Sequence, residues 1–284
     1  MSATSAPPVA PSAGQQSVPF RQFLLKIHSS CNLACTYCYM YEAADQSWRQ
    51  RPRVMAPETV RRAARLMAEH AREQELSQVH VVLHGGEPLL VGADRLEELL
   101  GTVTEALAGV AVPRFTMQTN GIRLAEDPRL LPVLDRHEVR IGVSLDGTPA
   151  GHDRHRRRAD GSGSHAATAR ALELLTDPAH NHLFAGLLCV VDPTTDPLET
   201  YDALLEFAPP RLDLLLPHAT WQSPPPGLPA RTTPPSAPPA PGARTRPTPY
   251  ADWLCAVFDR WYGAPRRETG IRLFEEIMVL LLGG

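Results

Sequence analysis

The segment that decides the fold of this chain is Cys31-Asn-Leu-Ala-Cys35-Thr-Tyr-Cys38, which places three cysteines within eight residues. The spacing is C-x3-C-x2-C, and the chain of 284 residues holds only five cysteines in all. An odd number does not fit a full set of disulfide bonds, whereas thiols clustered in this way more often bind metal. Thiolates are soft ligands that suit zinc or an iron–sulfur cluster. The segment therefore predicts a metal centre.

The three cysteines alone are compatible with two kinds of metal centre. A structural zinc ion needs four protein ligands, so a zinc knuckle would have to be completed by His28 or His84. Three thiolates on a four-iron cluster would instead leave one iron without a protein ligand, where a small molecule can coordinate. The remaining cysteines, Cys189 and Cys255, stand alone in apolar segments, and we expect both to be buried core residues.

On the C-terminal side of this segment the chain alternates between helices and strands. Near-continuous apolar runs predict six strands, at residues 23–28, 79–83, 115–119, 140–144, 184–191 and 212–216. Helical patterns predict five helices, at residues 57–74, 94–108, from 127 onward, 164–175 and 197–207. This alternation is typical of a parallel sheet covered by helices, so we predict an α/β fold for residues 20–220.

Three polar motifs follow predicted strands at the point where each strand ends. They are His84-Gly85-Gly86-Glu87-Pro88, Gln118-Thr119-Asn120-Gly121 and Ser144-Leu145-Asp146-Gly147. In parallel α/β folds, sites are built where the carboxyl ends of the strands meet. Because Gly85 and Gly86 carry no Cβ, a ligand can approach the backbone closely there. We therefore expect the three motifs to face one site together with the cysteine segment.

The cysteine spacing, with the aromatic Tyr37 before the last cysteine, resembles that of the radical S-adenosylmethionine (SAM) enzymes. The three strand-end motifs also follow in the order of that family. The resemblance implies a partial (β/α)6 TIM-like barrel of the radical SAM type. It also implies that Cys31, Cys35 and Cys38 hold one [4Fe-4S] cluster, whose open iron chelates SAM.

The resemblance further implies a set of SAM contacts, which are Tyr37, Gly85, Gly86, Glu87, Asn120, Ser144, Asp146 and Arg156. The amino group of SAM is expected at the backbone near the two glycines and at Glu87. Its ribose and methionine parts are expected at Ser144 and Asp146, and Asn120 lines the same pocket. Arg156, chosen from an H-D-x-x-R pattern, would hold a carboxylate; alternatively, residues 152–158 form a solvated basic loop. Tyr37 either packs near the adenine or covers the cluster.

Residues 31–42, 84–90 and 144–147 together resemble the SPASM-type peptide maturases. More specifically, residues 44–49, 147–156 and 214–221 resemble the FxsB-type maturases. That resemblance implies hydrogen abstraction from a ribosomal precursor peptide and a crosslink between an aromatic ring and a side-chain carbon, a cyclophane. Implied partners are the precursor peptide and an electron donor such as flavodoxin or ferredoxin. Two alternatives are a sulfatase-maturase-like oxidation of a Ser or Cys in a protein, and a truncated remnant that binds a cluster without turnover.

Composition divides the rest of the chain. Of 29 prolines, a large share falls in 221–249, which predicts a Pro-rich linker or insert, and residues 1–19 are expected to be a disordered leader. Residues 250–284 are expected to be a helical extension that would lead into an auxiliary-cluster domain, for which no later cysteine group is seen. A net charge of −3 predicts no nucleic-acid partner. Short apolar runs predict no membrane span, and the N-terminus shows no signal peptide, so we expect a cytoplasmic protein.

Overall fold

The computed structural model describes residues 18–42, 44–220, 223–228 and 248–283. Most of the predicted leader (1–19) and of the predicted Pro-rich segment (221–249) lies outside the described residues. Among the described residues, no helix combines the length and the apolar character that crossing a membrane requires.

One parallel sheet organises the chain, and its seven strands are adjacent in sequence order. The strands are β1 (Gln22–His28), β2 (Gln78–Gly85), β3 (Val112–Thr119), β4 (Arg140–Ser144), β5 (Phe184–Val190), β6 (Arg211–Leu215) and β7 (Gly270–Ile271). The α/β fold class and all six predicted strands are confirmed. The structure adds β7, which pairs with β6 through only two residues and is too short to show a hydrophobic pattern.

Helices follow most of the strands and cover the sheet. They are α1 (Pro57–Glu73), α2 (Ala93–Leu107), α3 (Ile122–Glu126), α4 (Leu130–Arg136), α5 (Pro149–His155), α6 (His165–Thr176), α7 (Pro197–Leu205), α8 (Pro249–Tyr262) and α9 (Arg272–Leu281). The first helix shows why they form. Proline occupies its first turn, and Val60, Ala64, Met67 and Ala71 recur at helical spacing to give one buried face.

The core lies between the sheet and these helices. Val79, Val81 and Leu83 alternate along β2 and are fully buried, and Leu96 and Leu100 of α2 belong to the same cluster. Burying each such side chain stabilises the fold by about 1.5–3 kcal/mol. This packing fixes where each strand ends, and so it fixes the rim at which the polar motifs stand.

The structure corrects two details of the sequence analysis. Cys255 is exposed on α8, because Trp253, Val257 and Trp261 form that helix's buried face and Cys255 is displaced from it. Residues 152–158 are not simply a solvated loop, because His152 lies in the short helix α5 and is fully buried. Cys189, in contrast, is buried in β5 as expected.

Candidate active site at the carboxyl ends of the strands

A cleft of about 490 Å³ opens at the rim where the parallel strands end. The cysteine loop forms one wall, and the segments after β2, β3, β4 and β6 form the others. The predicted residues in its lining are Cys31, Cys35, Cys38, Tyr37, Gly85, Gly86, Glu87, Asn120, Ser144 and Arg156. Asp146 is the only predicted site residue outside that lining. The fold therefore brings together segments that lie more than 100 positions apart.

The cysteine loop is fastened to the segment that follows α5. The backbone N–H of Ala34 donates to the carbonyl of Arg157 (2.7 Å), and that of Thr36 donates to the carbonyl of His155 (3.1 Å). The Thr36 hydroxyl also contacts Nδ1 of His155 at 2.7 Å. These contacts hold the loop over the rim, so the placement of the thiols depends on a distant part of the chain.

The thiols themselves are partly enclosed. Sγ of Cys31 accepts hydrogen bonds from the backbone of Leu33 (3.4 Å) and from Nδ2 of Asn120 (3.8 Å). Burial raises the pKa of Cys31 to about 12, and it also raises the pKa of Cys35. Thiols in this environment become thiolates when a cation is bound beside them, as metal ligands do.

The zinc hypothesis finds no support in this arrangement. Zinc needs ligands that converge on one point, and the part of the chain that the structure describes contains no group of three or more His, Cys, Asp or Glu residues able to hold a single ion. Of the two histidines expected as a fourth zinc ligand, His28 directs Nδ1 at Ser30, whereas His84 lies in the lining of the cleft. Three soft thiols on one loop suit an iron–sulfur cluster.

Glu87 is a buried carboxylate that ties two strand ends together. Its Oε1 accepts from the Thr119 hydroxyl (2.7 Å) and from the Leu89 N–H (3.0 Å), and its Oε2 accepts from the Asn120 N–H (2.8 Å). Burial raises the pKa of Glu87, while these bonds favour its charged form. The carboxylate therefore fixes the backbone after β3 where it borders the cleft.

Gly86 precedes this carboxylate at a position that has no room for a side chain. A Cβ there would lie 2.5 Å from the carbonyl oxygen of Ser30 and 2.5 Å from Oη of Tyr41. Any larger residue would push the cysteine loop away from the strand end. The glycine expected from the motif is thus required by close packing of the protein itself.

Tyr37, Asp146 and Arg156 form a connected group at the base of the cleft. Nη1 of Arg156 donates to Oη of Tyr37 (2.8 Å), and the Tyr37 hydroxyl donates to Oδ2 of Asp146. Oδ1 of Asp146 accepts from the Val190 N–H at 3.0 Å. Burial opposes the charge of Arg156, but Tyr37 and Asp146 outweigh it and raise the arginine's pKa. Asp146 therefore stands behind Tyr37 and orients it.

One buried nitrogen of Arg156 has no hydrogen-bond partner. This nitrogen is Nε, whereas Nη1 is engaged with Tyr37. An unpaired guanidinium donor is costly to bury, and it is suited to receive a carboxylate oxygen. Of the arginines in residues 152–158, Arg156 is the one in the lining of the cleft.

Sequence reasoning missed the histidine that supports this group. Nδ1 of His152 accepts from the Asp146 N–H (3.2 Å), and its Nε2 contacts the Ser164 hydroxyl (2.9 Å), which donates to the carbonyl of Arg156 (2.6 Å). Burial lowers the pKa of His152 to about 2, so the ring is neutral. The sequence signal that could have identified His152 is its position four residues before Arg156, about one helical turn away.

Two aromatic residues of the cysteine loop were also missed as cleft residues. Tyr39 stacks on His218, which follows β6, with ring centroids 5.2 Å apart. Tyr41 lies deeper and packs edge-on against Trp48 at 4.7 Å. Both tyrosines line the cleft.

Comparisons with known proteins agree with this architecture. Residues 25–204 match the family model described as the radical SAM superfamily. The chain is 31% identical over 175 residues to a serine-type anaerobic sulfatase-maturating enzyme of Klebsiella aerogenes, covering 61% of this chain and 40% of that protein. It is 26% identical over 261 residues to a cysteine-type enzyme of the same name from Clostridium novyi, covering 90% and 63%.

Solved structures show the same fold. One, described as native anSMEcpe with bound AdoMet and Kp18Cys peptide, superposes with a TM-score of 0.74 at 22% identity, covering 92% of this chain and 66% of that one. Streptococcus suis SuiB gives a TM-score of 0.54 at 14% identity, covering 89% and 49%. The chain thus spans less than two thirds of the length of each of these four proteins.

Proposed function

The chain belongs to the radical SAM superfamily, and from this premise we propose that it modifies a side chain of a peptide or protein substrate by radical chemistry. Enzymes of this superfamily use a [4Fe-4S] cluster and SAM. The observation that carries the proposal is the shared cleft, because three thiols, a glycine-lined strand end and an unpaired arginine donor border the same space.

In this proposal, Cys31, Cys35 and Cys38 hold the cluster. The residues fit the group, because three soft thiols stand on one loop and line the same cleft. When bound and reduced, the cluster supplies the electron that turns SAM into a hydrogen-abstracting species. The protein itself holds the loop in place and encloses the cleft.

The surrounding residues would hold SAM. We assign its carboxylate to the free Nε of Arg156, and its amino group to the backbone near Gly86 and to Oε2 of Glu87, which accepts only one internal bond. Ser144 and Asn120 would line the nucleoside end. Tyr37 and Asp146 act on this ligand through Arg156, because Arg156 donates to the Tyr37 hydroxyl, which in turn donates to the Asp146 carboxylate.

The proposal includes two alternative modifications of the substrate. The sequence motifs that resemble FxsB-type maturases favour a crosslink between an aromatic ring and a side-chain carbon of a precursor peptide. The relatives named as sulfatase-maturating enzymes favour oxidation of a Ser or Cys. Both reactions are two-electron oxidations that take two protons and two electrons from the substrate. Abstraction of one hydrogen atom removes the first proton and electron, so one further electron must pass to an acceptor.

A two-stage experiment tests the proposal. The protein is first reconstituted anaerobically with iron and sulfide, and 5′-deoxyadenosine is measured after SAM and dithionite are added. We expect about one four-iron cluster per chain and measurable 5′-deoxyadenosine. A cluster-loaded protein that releases none would overturn the enzymatic assignment.

The second stage separates the two products. Candidate peptides, including any encoded beside the gene, are incubated with the active protein and analysed by mass spectrometry. A crosslink gives a loss of two hydrogens, no reaction with an aminooxy reagent and no backbone fragments between the joined residues. Oxidation of Ser or Cys gives an aldehyde that the aminooxy reagent traps. Neither change in any peptide, despite active SAM cleavage, would contradict a peptide substrate.

A further inference from the structure

Tyr41 carries a buried hydroxyl that has no partner beside the cysteine loop. Its side chain is 7% exposed, and its Oη finds no hydrogen-bond partner in the described protein. The residue lines the same cleft as Cys31 and Cys38. Leaving such a group unsatisfied is costly, because the buried hydroxyl has lost its hydrogen bonds to water. This cost points to an acceptor that the chain itself does not supply.

The hydroxyl is held where it is. The ring packs edge-on against Trp48, with centroids 4.7 Å apart, and the backbone carbonyl of Tyr41 accepts from Nε2 of Gln46 at 2.9 Å. On the opposite side, a Cβ at Gly86 would come within 2.5 Å of Oη. The phenol therefore lies against the strand end that borders the cleft, and these packed neighbours prevent it from rotating out to solvent.

The chemistry of the site defines the missing acceptor. Burial, together with the neighbouring Cys31 and Cys38, raises the pKa of Tyr41 to about 12, so the phenol keeps its proton at neutral pH. Lys26 places its Nζ 5.7 Å from the centroid of the ring, within the range of a cation–π contact that helps to hold the ring in place. The Tyr41 hydroxyl is a proton donor that lines the same cleft as the three thiols, so an anionic sulfur is a suitable acceptor for it.

We propose that the Tyr41 hydroxyl donates a hydrogen bond to a sulfur of the iron–sulfur cluster and thereby raises the cluster's reduction potential. The inference rests on the proposed assignment of the cluster to this cleft. Reduction adds negative charge to the cluster, so a hydrogen bond to sulfur stabilises the reduced form more than the oxidised form. Tyr41 is thus a residue that tunes the ease with which the cluster is reduced.

The test is a redox titration of Tyr41→Phe in the absence of SAM, followed by electron paramagnetic resonance. This variant keeps the ring and loses only the hydroxyl. We expect an unchanged iron and sulfide content, and a ratio of reduced to oxidised cluster about tenfold lower at a fixed potential, equivalent to about 59 mV for a one-electron couple. Tyr262→Phe on α8, where the tyrosine is 67% exposed, is the matched control and should leave the ratio unchanged.

Two outcomes would overturn the inference while the proposed function stands. One is a cluster-loaded Tyr41→Phe protein with the wild-type potential. The other is a shift that appears only after SAM is added, which would mean that the hydroxyl contacts SAM. A wild-type chain that binds no cluster would instead defeat the proposed function itself.

A second measurement applies if Tyr41→Phe does not hold its cluster. Tyrosine is replaced throughout by 3-fluorotyrosine, which is nearly the same size and a stronger donor. We expect a higher reduction potential than in the unlabelled protein. An unchanged potential in the fluorinated protein would count against a phenol bonded to the cluster.

Discussion

The two ends of the parallel sheet carry polar residues in opposite environments. At the carboxyl end, the side chains of Glu87 and Asp146 are almost fully buried, and protein donors reach both oxygens of each carboxylate. At the amino end, Glu138 and Arg114 pair at 4.0 Å while their side chains are 78% and 52% exposed. A carboxylate is therefore held by protein donors at the carboxyl end of the sheet, whereas at the amino end it faces solvent.

This difference indicates what each end contributes. A buried group that loses its partner leaves an uncompensated donor or acceptor, which costs more than the bond itself gained. Exposed ion pairs contribute about 0–1 kcal/mol, because water and salt screen them. The carboxyl end is therefore built to hold a fixed arrangement around the cleft, and substitutions there should have larger effects than matched substitutions at the amino end.

The largest effect is expected from Cys35→Ala. If Cys35 is one of only three protein ligands to the cluster, its removal should abolish both the bound iron and the formation of 5′-deoxyadenosine. Iron and sulfide analysis after anaerobic reconstitution measures the first, and chromatography measures the second. Cys255→Ala is the matched control, because that cysteine is exposed on α8 and should be dispensable. Retention of a full cluster in Cys35→Ala would show that the ligands lie elsewhere.

The next largest effect is expected from Glu87→Ala. The substitution leaves the hydroxyl of Thr119 and the N–H groups of Leu89 and Asn120 without their acceptor. We expect the free energy of unfolding to fall by about 3 kcal/mol. Urea denaturation of the reconstituted protein measures it, and calorimetry should also show weaker binding of SAM.

Glu138→Ala sharpens this contrast at the other end of the sheet. Because its ion pair with Arg114 is long and exposed, the loss should stay below about 0.5 kcal/mol. Equal losses for the two glutamates would mean that the buried bonds of Glu87 contribute nothing beyond an ordinary surface contact.

The sequence was sufficient to locate the strands and the rim. Apolar runs define strands, and strands that are parallel bring their carboxyl ends to the same edge, so Glu87, Asn120 and Ser144 could be placed near the cysteines before any coordinates existed. The short strand β7 could not be found, because two residues carry no periodicity. The exposure of Cys255 was missed because an apolar composition does not say which face of a helix is buried.

The partners within the site could not be deduced in the same way. Tyr37 and Arg156 are 119 positions apart, and their bond depends on how the loops after β1 and α5 meet. Asp146, for which the sequence predicts a ribose contact, also accepts hydrogen bonds from Tyr37 and from the backbone of Val190, and these two partners could not be deduced from the motif. Side-chain pairing of this kind is decided by tertiary packing, on which local pattern carries no information.

The buried His152 makes the stability of the protein depend on pH. Its pKa is lowered to about 2 in the folded chain from an ordinary value near 6.5, so the unfolded chain binds a proton that the folded chain refuses. Stability is therefore complete above about pH 6.5 and falls as the pH decreases, by about 2 kcal/mol between pH 6.5 and 5. Urea denaturation across this range should show the loss.

His152→Asn isolates the contribution of this ring. The variant retains an acceptor for the Asp146 N–H but does not titrate. Burial also lowers the pKa values of His84 and His165, and both remain in the variant, so the difference between the two proteins belongs to His152. Parallel stability curves for wild type and His152→Asn would contradict a neutral buried histidine.

An effect smaller than those at Cys35, Glu87 and His152 is expected from Arg156→Lys, which separates charge from geometry within the site. The guanidinium serves Tyr37 with Nη1 and leaves Nε for a carboxylate, whereas a single ammonium cannot occupy both positions. We expect the dissociation constant for SAM, measured by calorimetry on the cluster-loaded protein, to rise about tenfold, or about 1.4 kcal/mol. Arg154→Lys is the control, since Arg154 is exposed on α5 and pairs with Asp192. If both variants weaken binding equally, positive charge alone attracts SAM, and the buried fork of Arg156 has no special part in holding it.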